Sequence, residues 1–437
     1  MNAKGILKIG VPQIRHLTVK GEKRAAVYAV IEESGMEKEL YYEYDEAYAE
    51  YLCTENADAF VSGLIYYAML KNYDIESKAP LSSRFYYQLK TYFIPIMMRT
   101  TDFFHEISIH AETIKSNQGG TGVACGFSRG VDSLYTIYKH TMNINAENKL
   151  THLLMCDLPA REFTSTGSVR ERGYEFEKNV MAQQLPMAEE LGLPVIVGRS
   201  NSRFDFWIDD FFDKHYGKVK YIGFHAFAWA GYVLALQKLI GTYYLSAGTT
   251  LEQFTIHPHI YDTAYFDTFN CMMLSTDSVS FYSTGSEMPR IEKEKFIADF
   301  ALPQKHLQVC NDMVEANCSH CNKCIKTMMG LYAYDKLDNF SNLFDIADFK
   351  RHFPVRAARI LANKGHDDFF VEIIDVMRKN GKKFPISAML IAAAIRPLES
   401  LRRKLIAQRS NPLVRGGYRF LKFDVLLNGK KSPKNPN

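Results

Sequence analysis

The sequence lacks several features that would place the chain in a particular class of protein. No run of about 18 apolar residues occurs in its 437 residues, which argues against a membrane-spanning helix. The first residues, MNAKGILKIG, have neither the apolar core nor the small-residue cleavage site of a signal peptide, so we expect a cytoplasmic protein. The net charge of +4 is too small to indicate nucleic acid as a partner.

The composition is typical of a globular protein with several domains. Apolar residues make up 47% and charged residues 23% of the chain. We predict an N-terminal α+β domain over residues 1–115, a central domain over 116–345, and a helical, basic C-terminal region over 346–437. The first contains a β-hairpin over 24–52 and a helix over 57–72, and the Gly-rich connector SNQGGTG follows it.

Short apolar strands alternate with helices in the central domain. Candidate strands span residues 122–127, 151–156, 194–198 and 242–246. Candidate helices begin near Asp132, fill 175–191 with Pro186 as an expected interruption, and run over 225–239. The alternation predicts an α/β fold with a mainly parallel sheet, and in such sheets ligands bind at the carboxyl ends of the strands.

The segment VACGFSRGVDSLYTIYKH, residues 123–140, is typical of a strand, a turn and a helix. The first N–H groups of a helix have no helical partner, and the helix dipole adds positive potential, so an anion such as phosphate binds there. Ser128 and Ser133 add hydroxyl donors, and Asp132 could cap the helix or help to hold Mg²⁺ beside phosphates. The Walker pattern G-x-x-x-x-G-K-[ST] is missing.

The turn resembles the PP-loop, S-G-G-x-D-S, of the ATP pyrophosphatase superfamily, which has an adenine nucleotide α-hydrolase-like (HUP) fold. Here it reads S-R-G-V-D-S. The resemblance implies a doubly wound sheet, binding of ATP with Mg²⁺, and cleavage of ATP between its α and β phosphates. It assigns catalysis to Ser128, Arg129, Asp132 and Ser133, and nucleotide binding to Ser128, Gly130, Val131, Asp132 and Ser133.

Arg129 departs from the superfamily pattern, which has glycine at this position. Its side chain is either an added clamp for a phosphate or the mark of lost activity. Three further residues fit the resemblance because they follow the next strands: Asp157, Arg199 and Gly248 would lie near the nucleotide. For Asp157 and Arg199, an ordinary role in a loop is the alternative.

The eight cysteines fall into two groups. Cys53, Cys125, Cys156 and Cys271 are scattered, whereas Cys310, Cys318, Cys321 and Cys324 form the pattern C-x7-C-x2-C-x2-C. Four thiolates at this spacing suit tetrahedral Zn²⁺, and closed four-cysteine sites are usually structural. We therefore predict a zinc knuckle over 310–324 in a reducing compartment.

A PP-loop followed by such a knuckle resembles the 7-cyano-7-deazaguanine synthase family over roughly residues 120–330. The resemblance implies an AMP-forming ligase that activates a carboxylate and transfers ammonia or an amine to it. The acceptor would be a deazapurine-like small molecule or a protein partner, since some synthase-like proteins are thought to act in phage defence. His257, Asp262 and Arg290 are the candidate substrate-binding residues.

Two alternatives to the ligase remain open. A PP-loop sulfurtransferase would need a reactive cysteine near the loop, and Cys125 precedes the loop, although a position in a buried strand favours an inert thiol. A degenerate nucleotide-binding module, stabilised by zinc and serving a partner interface, would explain Arg129 as the damaged position.

The end of the sequence is strongly basic. Residues 396–437 contain eleven Lys or Arg residues against Glu399 and Asp424, a local charge of +9. This pattern indicates either a solvated tail or a docking patch for an acidic partner, for RNA or for a membrane surface.

Overall fold

The structure is a computed structural model that describes residues 4–100, 103–115, 119–142, 144–156, 167–206, 225–257, 262–310 and 316–407. The side chains of 167–176, 203–204 and 402–407 are not described. The chain divides into two compact units. The sheet unit comprises Met1–Ser128, Thr136–Phe211 and Lys220–Glu287, and the helical unit comprises Arg129–Tyr135, Phe212–Val219 and Met288–Asn437.

The sheet unit is built on one large mixed sheet. The described strands are β1 (Gly5–Ile9), β2 (Gln13–Val19), β3 (Glu22–Glu33), β4 (Met36–Asp45), β5 (Tyr73–Ser77), β6 (Leu81–Ser82), β7 (Ile109–His110), β8 (Thr113–Ile114), β9 (Gly122–Gly126), β10 (His152–Cys156), β11 (Val195–Ser200), β12 (Ile240–Ser246) and β13 (Ser280–Thr284). The order of the large sheet is β13-β12-β9-β10-β11-β4-β3-β1-β5-β7, with β2 paired to β3, while β6 and β8 form a separate pair.

The parallel half of the large sheet consists of β11, β10, β9, β12 and β13, in that spatial order. The chain places β10 and β11 on one side of β9 and then crosses to the other side for β12 and β13. The strand order therefore reverses at β9. In open α/β sheets, ligands bind outside the carboxyl ends of the strands at such a reversal.

The N-terminal strands continue the same sheet with mixed strand directions. β3 and β4 form the predicted hairpin, whose turn residues Ser34 and Gly35 have φ of 53° and 79°, as a two-residue hairpin turn requires. β4 then pairs antiparallel with β11, with Glu43 opposite Arg199. The N-terminal strands thus extend the sheet to which the central strands belong.

Helices cover the sheet and form most of the helical unit. They are α1 (Asp58–Lys71), α2 (Ser83–Gln88), α3 (Ile94–Met97), α4 (Val131–Thr141), α5 (Gly167–Leu191), α6 (Ser202–Asp205), α7 (His225–Ala235), α8 (Asp267–Leu274), α9 (Arg290–Ile297), α10 (Ala301–His306), α11 (Asn322–Ala333), α12 (Ile346–Arg351), α13 (Phe353–Asn363), α14 (Asp368–Lys379) and α15 (Ile386–Ala407). Short 3-10 segments lie at Glu46–Tyr51, Ala146–Asn148, Leu251–Gln253, Thr263–Phe266 and Leu337–Phe340, and a π-helical turn, Leu89–Phe93, joins α2 to α3.

The side chain of Tyr42 on β4 sets the packing of α1 and α7, which contact each other. Tyr42 is fully buried, and its hydroxyl donates a hydrogen bond of 2.9 Å to the carbonyl of Ala59. Gly63 on α1 and Gly231 on α7 make room for this hydroxyl, because a Cβ at either position would overlap it. The two glycines therefore allow the helices to close over the tyrosine.

Most of the predicted elements agree with the structure. The prediction of an α/β fold with a large, mostly parallel sheet is confirmed, and the four predicted central strands correspond to β9, β10, β11 and β12. In the described residues, no helix combines the length and apolar character needed to cross a membrane. The three-domain division at residues 116 and 346 stays a prediction, and the tail beyond residue 407 lies outside the described residues.

The expected interruption at Pro186 is wrong. The helix α5 continues through Pro186 to Leu191. A proline inside a helix removes one backbone hydrogen bond and costs about 3 kcal/mol. Met187 and Ala188, the residues that follow it, are buried at 0% and 2% exposure, so tertiary packing offsets the local penalty.

Replacing Gly231 tests the role of Tyr42. We expect Gly231→Ala to lower the free energy of unfolding by about 1–3 kcal/mol, because the new methyl group overpacks against the tyrosine hydroxyl. Helix propensity alone predicts the opposite sign, since alanine favours a helix over glycine by about 1 kcal/mol. The measurement is urea unfolding beside Gly365→Ala, where nothing lies within 4 Å of the new Cβ. An unchanged or raised stability of Gly231→Ala would contradict this role of the glycine.

Candidate functional site

The loop between β9 and α4 begins at the point where the strand order reverses. The N–H of Phe127 donates a 2.9 Å hydrogen bond to the carbonyl of Leu154 on the neighbouring strand β10. The N–H of Leu134 reaches the carbonyl of Gly130, which closes the first turn of α4. The predicted strand, turn and helix are therefore present, and the N-terminus of α4 lies immediately after the loop.

Arg129 holds an unusual backbone conformation in this loop. Its φ is 56°, in the left-handed region that favours glycine. For a residue with a side chain this conformation costs about 1–2 kcal/mol. The carbonyl of Arg129 accepts a 3.0 Å hydrogen bond from the N–H of Gln308, which helps to fix the strained residue. Strain of this kind clusters at functional sites.

The side chain of Arg129 is buried, and no acidic partner for it lies among the described residues. It is only 7% exposed, and within the described ranges no group accepts a hydrogen bond from its Nε. Burial lowers the pKa of this guanidinium, and no described carboxylate is near enough to raise it. Because a buried cation is unfavourable without compensation, the arrangement suits a bound anion.

Asp132, in the first turn of α4, contacts two cations of α9. Arg290 donates a hydrogen bond to one of its carboxylate oxygens, and the Nζ of Lys293 lies 3.4 Å from the other. Burial alone would raise the pKa of Asp132, but the charges of Arg290 and Lys293 outweigh it and hold the pKa below its usual value. Lys293 is only 1% exposed, so this ion pair is shielded from water on the lysine side.

Glu294 lies beside the same arginine, one helical turn along α9. Its Oε1 is 3.7 Å from the Nε of Arg290, the carboxyl is 0% exposed, and neither oxygen has a hydrogen-bond partner in the described part of the chain. Gly330 on α11 leaves the space that this carboxyl occupies, since a Cβ there would overlap it. Burial raises the pKa of Glu294 well above its usual value, although Arg290 opposes this.

The four clustered cysteines come together in the helical unit. The Sγ atoms of Cys310, Cys318, Cys321 and Cys324 all lie within 4.8 Å of one another, so the group could bind a metal such as zinc. The N–H groups of His320 and Cys321 point at the Sγ of Cys318, at 3.4 and 3.2 Å. Such N–H···S bonds stabilise thiolate ligands, so the predicted residues of the knuckle agree with the geometry.

The cysteine cluster and the cations of α9 belong to one packed group of helices. Cys321 is the N-cap of α11, where its sulfur accepts a hydrogen bond from the N–H of Cys324. α11 in turn contacts both α9 and α14. The position of the knuckle therefore affects the helix that carries Arg290 and Lys293.

Three other residues predicted for the nucleotide site, Arg199, Gly248 and Ser128, belong to the sheet unit. Arg199 forms an ion pair with Glu177 on α5 and lies 3.6 Å from Asp45, which fits the alternative of a structural role. A Cβ added to Gly248 would have no neighbouring atom closer than 4.0 Å, so no close approach requires glycine there. Ser128 is the last residue of the sheet unit before Arg129.

The predicted substrate residues fall in both units. Asp262 caps the 3-10 segment Thr263–Phe266 by accepting a 3.0 Å hydrogen bond from the N–H of Ala264, and burial raises its pKa. His257 is exposed. Both lie in the sheet unit, whereas Arg290 contacts Asp132 in the helical unit. Asp157 lies outside the described residues.

Sequence reasoning missed Glu294. The sequence RIEKEK is typical of a solvated helix start, yet Lys293 and Glu294 are buried. A signal was present in the spacing, because positions 290, 293 and 294 share one face of a helix. The buried partners, Asp132 and the space beside Gly330, could not be inferred from spacing.

Comparison with protein-family models gives no match to this chain. Searches of the curated proteins and of the solved structures likewise give no significant match.

Metal binding by the four cysteines can be tested directly. We expect the purified protein to contain about one Zn²⁺ per chain, and a chelator that removes it to lower the melting temperature, because α11 begins within the knuckle. Cys318→Ser should lose the metal, whereas Cys156→Ser, at a cysteine outside the cluster, should retain it. Elemental analysis and thermal unfolding measure both. Retention of the metal by Cys318→Ser would contradict the site.

The buried carboxyl of Glu294 predicts a pH-dependent stability. Because its pKa is higher in the folded than in the unfolded chain, the folded state binds the proton more tightly, and stability falls as pH rises above the unfolded value of about 4.3. Glu294→Gln removes this dependence. We expect its stability relative to the wild type to increase with pH, by at most about 1.4 kcal/mol per pH unit.

Urea unfolding between about pH 5 and pH 8 measures this difference. Glu37→Gln, at an exposed glutamate, controls for the loss of one negative charge. The prediction would be wrong if the free energy of unfolding of Glu294→Gln, relative to the wild type, stayed constant or decreased as pH rises.

Proposed function

We propose that this chain is a PP-loop enzyme that binds ATP at residues 128–133 and cleaves it between the α and β phosphates. The observation that carries the proposal is the state of Arg129. The PP-loop pattern has glycine at this position, and Arg129 has the positive φ that glycine adopts most readily. A positive φ at this position is one that a glycine would adopt without strain, which supports the PP-loop proposal despite the different side chain.

The position of the loop supports the same proposal. It follows β9, where the order of the parallel strands reverses, and it precedes the N-terminus of α4. Backbone N–H groups at a helix N-terminus favour a phosphate, and the reversal point is where nucleotides bind in doubly wound sheets. We therefore propose that the parallel half of the sheet is a doubly wound HUP-type domain.

The cations of the helical unit account for the charge of the leaving group. Arg129 is buried with no carboxylate partner in the described part of the chain, and Arg290 and Lys293 are held beside the first turn of α4 by Asp132. Pyrophosphate carries several negative charges, which these cations would neutralise as it leaves; Mg²⁺, when bound with ATP, would supply further positive charge. In this proposal Arg129 clamps a phosphate, and Asp132 positions the two cations of α9.

The reaction that fits these groups is ligation with AMP as the leaving group. A carboxylate oxygen of the acceptor attacks the α-phosphorus, the bond to the bridging oxygen breaks, and pyrophosphate leaves with the bonding electrons. Ammonia or an amine then attacks the acyl carbon, AMP leaves, and the nitrogen loses a proton. Adenylation is needed because a carboxylate oxygen is a poor leaving group and AMP is a good one. A deazapurine-like carboxylate or a carboxylate on a protein partner would be the acceptor.

The four cysteines would hold Zn²⁺ in a structural role. Four sulfur ligands complete a tetrahedral shell and leave no open position for a reacting water or substrate. Their contribution to the proposed reaction is to fix α11 and, through its contact with α9, the cations at positions 290 and 293.

Sulfur transfer is less well supported as an alternative. Cys125 is fully buried in β9, and burial raises the pKa of its thiol, which disfavours the reactive thiolate. No observation on the described residues favours a sulfur nucleophile over nitrogen.

The decisive experiment follows AMP formation from α-³²P-labelled ATP with Mg²⁺, ammonium and a panel of carboxylates. We expect wild type to form AMP and Asp132→Ala to form none. Arg129→Gly, which gives the superfamily sequence S-G-G-V-D-S, should bind ATP about 10- to 100-fold more weakly, because a charge-assisted contact of about 1.5–3 kcal/mol is lost. It should fold at least as well as wild type, because glycine relieves the strain at φ 56°.

Arg15→Ala, which removes an exposed arginine of β2 in the sheet unit, is the matched control and should leave AMP formation unchanged. Faster AMP formation by Arg129→Gly would mean that the arginine crowds the loop, and the clamp would be abandoned while the reaction stands. If wild type neither binds ATP nor forms AMP, the enzyme proposal is overturned, and a zinc-stabilised interaction module remains.

A further inference from the structure

The helix α15 packs against its neighbour α13 through a narrow stripe of small residues. Ala388 and Ala392 are buried at 0% and 2% exposure, and Glu399 is buried further along the same helix. These positions recur at intervals of four and seven residues, as one face of an α-helix does. Among the described helices and strands, α13 is the main neighbour of α15.

The opposite face of α15 is apolar and exposed. Ile386, Met389 and Leu390 are 72%, 50% and 66% exposed, and Leu398 and Leu401 are 42% and 47% exposed. From Ile386 to Ile395 the sequence contains no charged residue. The surface face of a helix in a globular protein is normally polar. Five large exposed apolar side chains on one helix are therefore a patch that indicates an interaction.

The charge that follows this patch is positive. Arg396 is exposed on the same helix, and Arg402, Arg403 and Lys404 follow it in the sequence. From Gln408 onward, seven further Lys or Arg residues alternate with apolar and aromatic residues, as in YRFLKF at 418–423. The sequence that follows the apolar patch is therefore strongly basic and interleaves cations with apolar residues.

An anionic lipid surface matches this combination better than the alternatives. Aliphatic side chains such as Ile386 and Leu390 enter the boundary between headgroups and acyl chains, while neighbouring cations bind lipid phosphates. RNA is bound largely through planar aromatic side chains, and none of the five exposed apolar residues of α15 is aromatic. A protein partner would need a groove that is both apolar and acidic, whereas an anionic membrane presents both properties over its whole surface.

We propose that the exposed apolar face of α15 is a docking surface for an anionic membrane, and that the positive charge of residues 396–437 adds electrostatic attraction to it. The helix lies on the membrane with its exposed apolar face inserted, while its Ala388 face stays packed on α13. The inference is independent of the proposed reaction, because it concerns a surface that the ATP site does not use.

The test is co-sedimentation of the full-length protein with vesicles. One set contains about three parts phosphatidylcholine to one part phosphatidylglycerol, and the other contains phosphatidylcholine alone. We expect binding to the anionic vesicles, with at least about tenfold weaker binding to the neutral ones, and a further loss when salt rises from about 0.1 M to about 0.5 M.

Two variants separate the apolar from the charged contribution. The double variant Ile386→Ser with Leu390→Ser should weaken binding about tenfold or more, and it should fold normally because both side chains are exposed. The triple variant Arg402→Glu, Arg403→Glu and Lys404→Glu should abolish the preference for anionic vesicles. The matched control is Val11→Ser with Met36→Ser, which removes two exposed apolar side chains of the sheet unit.

Three outcomes would overturn the proposal. The first is equal binding to both kinds of vesicle. The second is an equal loss of binding in the Ile386/Leu390 and the Val11/Met36 double variants. The third is a stable oligomer, detected by light scattering, that dissociates in the Ile386/Leu390 variant while vesicle binding stays unchanged. In the last case the patch would be an interface between copies of the chain.

Discussion

The carboxylate of Asp132 contacts Arg290 and Lys293, and this ion pair joins the first turn of α4 to α9. Lys293 is almost completely buried, so removing its partner would leave an uncompensated charge, which costs about 3–5 kcal/mol. The same contact therefore determines where the helix N-terminus and two cations lie. A loop that binds pyrophosphate needs that arrangement to exist before the ligand arrives, because preorganised charges need no reorientation during the reaction.

Whereas the ion pair of Asp132 is stabilising, the local structure of Arg129 is unfavourable. A left-handed backbone and a buried guanidinium, with no acidic partner among the described residues, are two separate penalties at one residue. A glycine would remove both. Retaining arginine is reasonable if an anion occupies the site, because a phosphate then compensates the buried charge. Glu294 is a buried acid rather than a buried base. Its Oε1 lies 3.7 Å from the Nε of Arg290, and Arg290 also forms an ion pair with Asp132. Arg290 thus has two acidic neighbours, and burial raises the pKa of one of them, Glu294.

The sequence predicted the elements of this fold better than it predicted contacts between them. β9, the loop and α4 could be identified because apolar runs and turn residues are local signals. The continuation of α5 through Pro186 could not, because it depends on the burial of Met187 and Ala188 by tertiary packing. The four cysteines were found because metal ligands have a characteristic spacing. The pairing of Asp132 with Arg290 joins residues 158 positions apart, and no spacing rule reaches that far.

The knuckle, the cations and the apolar face of α15 all belong to the helical unit. α11 contains Cys324, has Cys321 as its N-cap and contacts the helix of Arg290. In the same unit, the buried apolar residues of α15 are the small Ala388 and Ala392, while its large apolar residues such as Ile386 and Leu390 are exposed. Burial of large side chains is the main stabilising term in folding, so a helix that buries alanine and exposes leucine gains little from that contact. The large residues of α15 are better explained by what the helix binds than by how the unit folds.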